Sequence, residues 1–133
     1  MKWSDRFATG IEDLDRQHKM LFRMSEDYRE TLSEGRGGAV YILMLDSLED
    51  YARAHFGVEE RCMFRYQCPA AQQNSEAHAQ FVEALAHFRK RYDAAGFSLS
   101  DAYQVVDYID EWLAHHIGGI DVQLKPCVER AEP

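Results

Sequence analysis

The stretch His55-Phe56-Gly57-Val58-Glu59 places an imidazole and a carboxylate four residues apart. Residues four apart in an α-helix lie on the same face, so His55 and Glu59 would project into the same space. Leu48 and Tyr51 precede His55 on the same stripe, which predicts that this face is turned towards a core. A buried carboxylate needs a partner, and a bound cation is one. The pair is therefore a candidate metal-binding motif, and the alternative is an ordinary His–Glu contact on a helix surface.

The rest of the chain repeats this helical periodicity in four segments, which glycine or proline separates. The pattern predicts an all-α fold, an up-and-down antiparallel four-helix bundle. Residues 1–10 lack periodicity and are predicted to form an N-terminal arm that tucks Trp3 against the bundle, and residues 1–133 to form a single domain. The predicted helices run from about Ile11 to Ser33, from about Ala39 to Arg65, along a stripe from Asn74 to Tyr92, and from about Ser100 to His116, with Ser98 or Ser100 as the last N-cap.

The composition argues against some binding partners and some locations of the protein. A net charge of −8 argues against binding to nucleic acid or to an anionic membrane surface. No apolar run is long enough to span a bilayer, and the first residues do not resemble a secretory signal, so a cytoplasmic protein is expected. Cys62, Cys68 and Cys127 are odd in number and contain no Cys-x-x-Cys, so free thiols are expected.

The positions of the histidines make a metal site at His55 and Glu59 more plausible than a surface contact. A single histidine on an apolar stripe is more often a hydrogen-bonded core residue than a ligand. Here, however, each of the four predicted helices carries one histidine on its apolar stripe, and these are His18, His55, His78 and His116. His87 and His115 lie off the stripes. Four neutral histidines in one core would leave ring nitrogens without partners, whereas metal ions would satisfy them.

The predicted ligands are nitrogen and carboxylate atoms without thiolate, which suit zinc, manganese or iron. Glu59 and Asp121 are two carboxylates, and two carboxylates can bridge two ions. Asp121 lies five residues after His116, about 140° out of register in a regular helix. We therefore expect Gly118 and Gly119 to permit a wide turn that brings Asp121 inward.

These residues resemble a known family, the hemerythrins, and in particular the bacterial single-domain members. The resemblance extends over nearly the whole chain. It is carried by Trp3, Asp15-Arg16-Gln17-His18 with Leu21-Phe22, His55-Phe56-Gly57-Val58-Glu59-Glu60, Met63, Tyr66, Pro69, His78-Ala79-Gln80-Phe81, and Trp112-Leu113-Ala114-His115-His116-Ile117 through Asp121.

The resemblance implies two iron ions with a bridging oxo or hydroxo group, and reversible binding of dioxygen. It implies that His18 and His55 hold the iron where oxygen binds, that His78 and His116 hold the second iron, and that Glu59 and Asp121 bridge the two. It further implies an apolar oxygen pocket of Phe56, Trp112, Leu113 and Ile117, which could equally be ordinary core packing.

One position departs from the family pattern, which has a histidine four residues before His78. This sequence has Asn74 there. The missing imidazole could be replaced by the Asn74 amide, by water, or by Gln73 or Glu76, although ideal helical geometry turns the last two away from this face.

The sequence thus favours a non-heme di-iron protein that binds dioxygen for storage, delivery or sensing. Its expected partner is dioxygen or another small diatomic ligand, and the expected assembly is a monomer or weak homo-oligomer. One alternative is a di-iron enzyme acting on peroxide or nitric oxide, since Asn74 would leave an open coordination position. Another is a degenerate bundle with one metal or none.

Overall fold

The computed structural model describes residues 2–131, so Met1, Glu132 and Pro133 of the predicted domain lie outside the described residues. Short 3-10 turns cover Asp5–Phe7 and Asp121–Gln123, and no strand occurs between residues 2 and 131. No helix in this part of the chain has the length and apolar character that crossing a membrane requires. The helices are α1 (Glu12–Ser33), α2 (Gly37–Arg65), α3 (Ala71–Ala95), α4 (Leu99–Gly119) and a short α5 (Leu124–Ala131).

The long helices form the predicted four-helix bundle. Helix α1 packs against α2 and α4, and α3 packs against the same two helices. Short connections join consecutive helices, as an up-and-down arrangement requires. Helix α4 begins after Ser98, whose side chain accepts a hydrogen bond from the Asp101 N–H, so Ser98 is the N-cap among the two predicted candidates.

The N-terminal arm is fixed to the start of α1. The Asp15 carboxylate accepts hydrogen bonds from the Thr9 N–H at 2.7 Å and the Thr9 hydroxyl at 2.8 Å. Gly10 has a φ of +83°, a conformation that glycine adopts without strain. Trp3 packs partly buried against the core, as predicted. The arm therefore sets where α1 begins, and His18 follows Asp15 by one turn.

The bundle core is divided into two apolar clusters. On α1, Leu14 belongs to the smaller cluster and Leu21 to the larger one, and His18 lies between them. On α2, Met63 and Phe56 have the same relation, with Glu59 between them. The polar residues singled out by the sequence therefore occupy a layer between two apolar layers of the bundle.

A disulfide bond closes one end of the bundle and corrects the expectation of free thiols. Cys68, in the α2–α3 connection, is bonded to Cys127 on α5, with 5.7 Å between their Cα atoms. The prediction was wrong because it contained no α5, the helix that folds back after α4 and brings Cys127 to Cys68. Cys62 is a free cysteine, as expected.

Candidate metal centre

Four helices each contribute one histidine to a single buried site. His18, His55, His78 and His116 are all buried, and so are the carboxylates of Glu59 and Asp121. The structure thus brings together every residue that the sequence predicted as a metal ligand. We call these six side chains the centre. His87 and His115, which lie off the apolar stripes, are exposed.

Glu59 lies in the middle of the centre and divides its two oxygens between two pairs of histidines. Its Oε2 is 2.9 Å from His18 Nε2 and 3.5 Å from His55 Nε2. Its Oε1 is 3.0 Å from His78 Nε2 and 3.8 Å from His116 Nε2. We call His18 and His55 the first pair, and His78 and His116 the second pair. Each carboxylate oxygen therefore faces one pair.

Asp121 makes the same division. Its Oδ2 is 3.2 Å from His18 Nε2 and its Oδ1 is 3.0 Å from His116 Nε2. The backbone reaches this position differently from the expected wide turn, because the Ile120 N–H still donates to the His116 carbonyl at 2.7 Å and α4 then ends. The 3-10 turn that follows α4 carries Asp121 into the core.

The distances are compatible with metal ions. The candidate ligand atoms of Glu59, His78, His116 and Asp121 lie within 4.8 Å of one another, and so do those of His18, His55 and Glu59. Imidazole nitrogen and carboxylate oxygen without thiolate suit zinc, manganese and iron. Because Glu59 belongs to both groups, the centre has the layout of two adjacent sites that share a carboxylate.

Several buried polar atoms of the centre have no hydrogen-bond partner, which favours a cation there. The Asp121 oxygens and His116 Nε2 lie close to one another, but among the described residues none of them has a partner at a hydrogen-bonding angle. Leaving such groups unpaired in a core costs on the order of 1–3 kcal/mol each. A metal ion would satisfy these atoms together, so the side chains that are present fit the proposed cofactor.

Without metal, protons partly balance the charge of the centre. Burial by itself lowers the pKa of His18, but the neighbouring carboxylates of Asp121 and Glu59 outweigh it and raise that pKa to about 9. The same opposition raises the pKa of His116 to about 9. Burial raises the pKa of Glu59, but the surrounding histidines more than reverse this effect. For His55 burial prevails, and its pKa is lowered. Metal binding would displace protons from these imidazoles.

Gln17, which belongs to the motif Asp15-Arg16-Gln17-His18, contacts a histidine of the centre, a role that the sequence did not predict. Its Oε1 is 2.6 Å from Nδ1 of His55. An amide oxygen only accepts hydrogen bonds, so Nδ1 of His55 carries the hydrogen, and in the neutral ring Nε2 is the nitrogen left to bind a metal. Gln17 is the neighbour of the predicted ligand His18 in the sequence, and this was the one sign that it could contact the centre. Its contact joins α1 to α2, and spacing along a single helix does not predict contacts between two helices.

The four apolar residues of the predicted oxygen pocket separate into two groups. The Phe56 ring stacks on His78 with centroids 3.8 Å apart, and the Trp112 ring stacks on His116 with centroids 4.2 Å apart. Leu113 and Ile117 are buried in the larger apolar cluster. Two of the four thus contact histidines of the second pair, and their role as an oxygen pocket stays a prediction.

Asn74 is buried next to the centre, with 0% of its surface exposed. It lies one turn before His78 on α3, and between residues 2 and 131 neither Oδ1 nor Nδ2 of its amide has a hydrogen-bond partner. Gln73 and Glu76 are exposed, and the Glu76 carboxylate accepts a hydrogen bond from Gln72 Nε2 at 3.2 Å. Of the three residues considered for the missing imidazole, only Asn74 is inside the bundle.

Comparison with known proteins agrees with this site. The model of the hemerythrin HHE cation binding domain matches residues 9–128. A bacteriohemerythrin of Stenotrophomonas maltophilia is 29% identical over 119 residues, which cover 90% of this chain and 75% of that protein. A bacteriohemerythrin of Methylococcus capsulatus is 26% identical over 129 residues, which cover 96% of both chains. A hemerythrin-like protein of Naegleria gruberi is 29% identical over 124 residues, which cover 92% of this chain and 89% of that protein.

The matched range includes the four long helices, the connection that carries Asp121, and therefore every residue of the centre. A cation-binding family and a buried group of unpaired ligand atoms indicate the same property by independent routes. The chain belongs to the hemerythrin family of metal-binding four-helix bundles.

Proposed function

We propose that this protein binds two iron ions in the centre and carries dioxygen reversibly, for storage, delivery or sensing. The observation that supports the proposal most strongly is the division of the Glu59 and Asp121 oxygens between the two histidine pairs. A carboxylate placed in this way suits a bridge between two ions rather than a ligand to one. The relatives named bacteriohemerythrin support the assignment to iron and oxygen.

In this proposal each ion has two imidazoles and shares both carboxylates. His18 and His55 would hold one iron, on the side that Oε2 of Glu59 and Oδ2 of Asp121 face. His78 and His116 would hold the other, on the side of Oε1 and Oδ1. An oxo or hydroxo group would be the further ligand of the irons. When bound, the irons supply the electrons that make oxygen binding possible.

The protein contributes orientation and the exclusion of water. Gln17 fixes the ring of His55 through its Nδ1 hydrogen, so that Nε2 is available as a ligand. Stacking holds the rings of His78 and His116 against Phe56 and Trp112. The two apolar clusters cover the centre from both sides, which limits the access of water and slows loss of bound oxygen.

The test is an iron count joined to an optical spectrum. The metal-free protein is loaded with ferrous iron without oxygen, and unbound iron is removed. We expect about two irons per chain and a visible absorption band that forms on aeration and disappears when oxygen is removed. An iron count near zero or near one contradicts the two-iron proposal, and a band that cannot be reversed contradicts oxygen carriage.

One observation favours a second candidate, a di-iron enzyme acting on peroxide or nitric oxide. The buried amide of Asn74 has no partner among the described residues, and it stands in the sequence where the resemblance implies a third histidine for the second ion. A metal with fewer strong protein ligands has exchangeable positions that suit catalysis. Repeated consumption of added hydrogen peroxide or nitric oxide by the iron-loaded protein would favour the enzyme. Metal analysis separates both candidates from a degenerate bundle with one metal or none.

A further inference from the structure

Asn74 has an unusual environment for a buried amide. Its side chain is completely buried, and neither its oxygen nor its NH₂ group has a partner among the described residues. A buried polar group without a hydrogen bond costs on the order of 1–3 kcal/mol. The amide can donate two hydrogen bonds and accept others, so it suits a polar ligand that the protein itself does not supply.

Asn74 belongs to the buried face of α3 that also carries His78, a histidine of the second pair. Residues four apart share a helix face, so Asn74 lies beside His78 on α3. His78 and His116, with one oxygen from each carboxylate, would give the second ion two imidazoles and two oxygens. Sites of two histidines and carboxylate oxygen commonly keep open positions for exogenous ligands on iron. Asn74 supplies no imidazole to close such a position.

Two cavities lead from the surface to this pair. A cavity of about 480 Å³ between α2 and α3 is lined by His78 and Phe56, and Ser75 lies at its α3 wall. A cavity of about 310 Å³ between α3 and α4 is lined by His116, and Gln73 lies at its α3 wall. Asn74 lies between Gln73 and Ser75 in the sequence. Small solutes can therefore approach the second pair from both sides of the helix segment that carries Asn74.

We infer that the second iron has its own binding position for a small anion, and that the Asn74 amide donates a hydrogen bond to that anion. The inference rests on the proposed two-iron centre and adds a ligand position to it. The ligand class is a small anion with one atom to bind the metal and a lone pair to accept from Nδ2. No bond other than the metal–ligand bond forms or breaks.

Azide is a suitable probe because it is small, anionic and accepts hydrogen bonds. The oxidised, iron-loaded protein is titrated with azide, and bound azide per chain is determined from the absorption change and by calorimetry. The natural protein should bind one azide more per chain than Asn74→His, because the new imidazole fills the open position. Asn74→His should also retain iron more firmly against a chelator, by about tenfold or more.

Gln72→Leu is the matched control, since it removes a side-chain amide from an exposed position of the same helix that lines neither cavity. It should bind as much azide as the natural protein. Equal azide stoichiometry in the natural protein and Asn74→His, with two irons in each, overturns the inference alone. An iron count well below two in the natural protein contradicts the proposed function, and the inference falls with it.

Asn74→Leu tests the hydrogen bond separately from the open position. Leucine is similar in size and cannot donate, so the additional azide should still bind but about tenfold or more weakly, which is the usual effect of losing a hydrogen bond to a charged group. Unchanged affinity for this azide shows that Nδ2 is not the donor and overturns that part of the inference. Thermal unfolding of the metal-free variants shows whether packing has changed.

Discussion

Asp110 and Asp121 are two buried aspartates with different surroundings. Asp110, with 8% of its surface exposed, accepts hydrogen bonds from the Ser25 hydroxyl at 2.7 Å and from Arg29 Nη2 at 2.9 Å. Asp121, with 1% exposed, has only the Nε2 atoms of His18 and His116 near its oxygens among the described residues, and neither is at a hydrogen-bonding angle. Asp110 thus has hydrogen-bond donors and a positive charge from the protein itself, whereas Asp121 has only imidazole nitrogens nearby, which are potential metal ligands. The difference distinguishes a polar group that holds helices together from one that is prepared for a cation.

The same distinction applies to the groups around each aspartate. Arg29 links α1 to α4 through two aspartates and carries the positive charge that balances Asp110. Around Asp121 the available partners are imidazoles, which are neutral ligands for metals and become cations only by taking up a proton. We call Ser25, Arg29 and Asp110 the Asp110 cluster. Substitutions in this cluster should change stability without changing metal binding, whereas the stability that the centre contributes should depend on metal and on pH.

The largest effect is expected for Glu59→Ala. This change removes the carboxylate that faces all four histidines of the centre, so both ions lose one of their two shared carboxylates and the iron content should fall from about two per chain to near zero. Iron is measured after loading and desalting, with circular dichroism to confirm the helices. His87→Ala and His115→Ala are the controls and should retain the natural iron content. Equal iron in all three variants would contradict the placement of the centre.

Raising the pH should destabilise the metal-free protein strongly. The folded-state pKa values of His18 and His116 are raised from 6.5 to about 9. Their contribution to stability is therefore complete below about pH 6.5 and is lost as the pH rises through about 9. Urea unfolding is compared at about pH 6 and about pH 10 with and without metal. The metal-loaded protein should not lose this contribution, because metal replaces the protons, and identical alkaline losses in both forms would contradict this account.

A smaller effect is expected for Asp110→Ala. The substitution leaves Ser25 and Arg29 without their buried acceptor, and the free energy of unfolding should fall by about 1–3 kcal/mol. The iron content should not change, since this cluster is separate from the centre. Denaturant unfolding and metal analysis provide the two measurements. Asp107→Ala, which removes the more exposed partner of Arg29, should lower stability by less than about 1 kcal/mol. Loss of iron in Asp110→Ala would remove the distinction between the two aspartates.

The smallest effect is expected for Gln17→Leu. Without the Gln17 oxygen, the ring of His55 is no longer held with its Nδ1 hydrogen on one side, and the affinity for iron should fall by about tenfold. Competition with a chelator measures the change. Gln104→Leu, on an exposed face of α4, is the control and should have the natural affinity. A variant of Gln17 that binds iron as tightly as the natural protein would show that other packing orients His55.

Periodicity in the sequence predicted the long helices and the convergence of the four histidines with Glu59. One histidine on each apolar stripe is sufficient to place His18, His55, His78 and His116 together once the helices pack as a bundle. Asp121 is about 140° out of register with His116, and it was placed inward by an expected wide turn that the structure does not have. The disulfide was missed because pairing of Cys68 with Cys127 depends on where a short terminal helix folds back, which the periodicity of the long helices does not contain. The lack of a hydrogen-bond partner for Asn74 could not be predicted either, because it depends on which residues of the other helices surround the amide.

The disulfide has a consequence for the entropy of the unfolded chain. Cys68 and Cys127 are separated by 59 residues, and the loop between them contains α3, α4 and three of the centre's side chains. Closing a loop of this length restricts the denatured ensemble by about 4 kcal/mol on the chain-entropy model. This contribution is present whether or not metal is bound. The metal-free chain should therefore keep its bundle more readily when this disulfide is oxidised than when it is reduced.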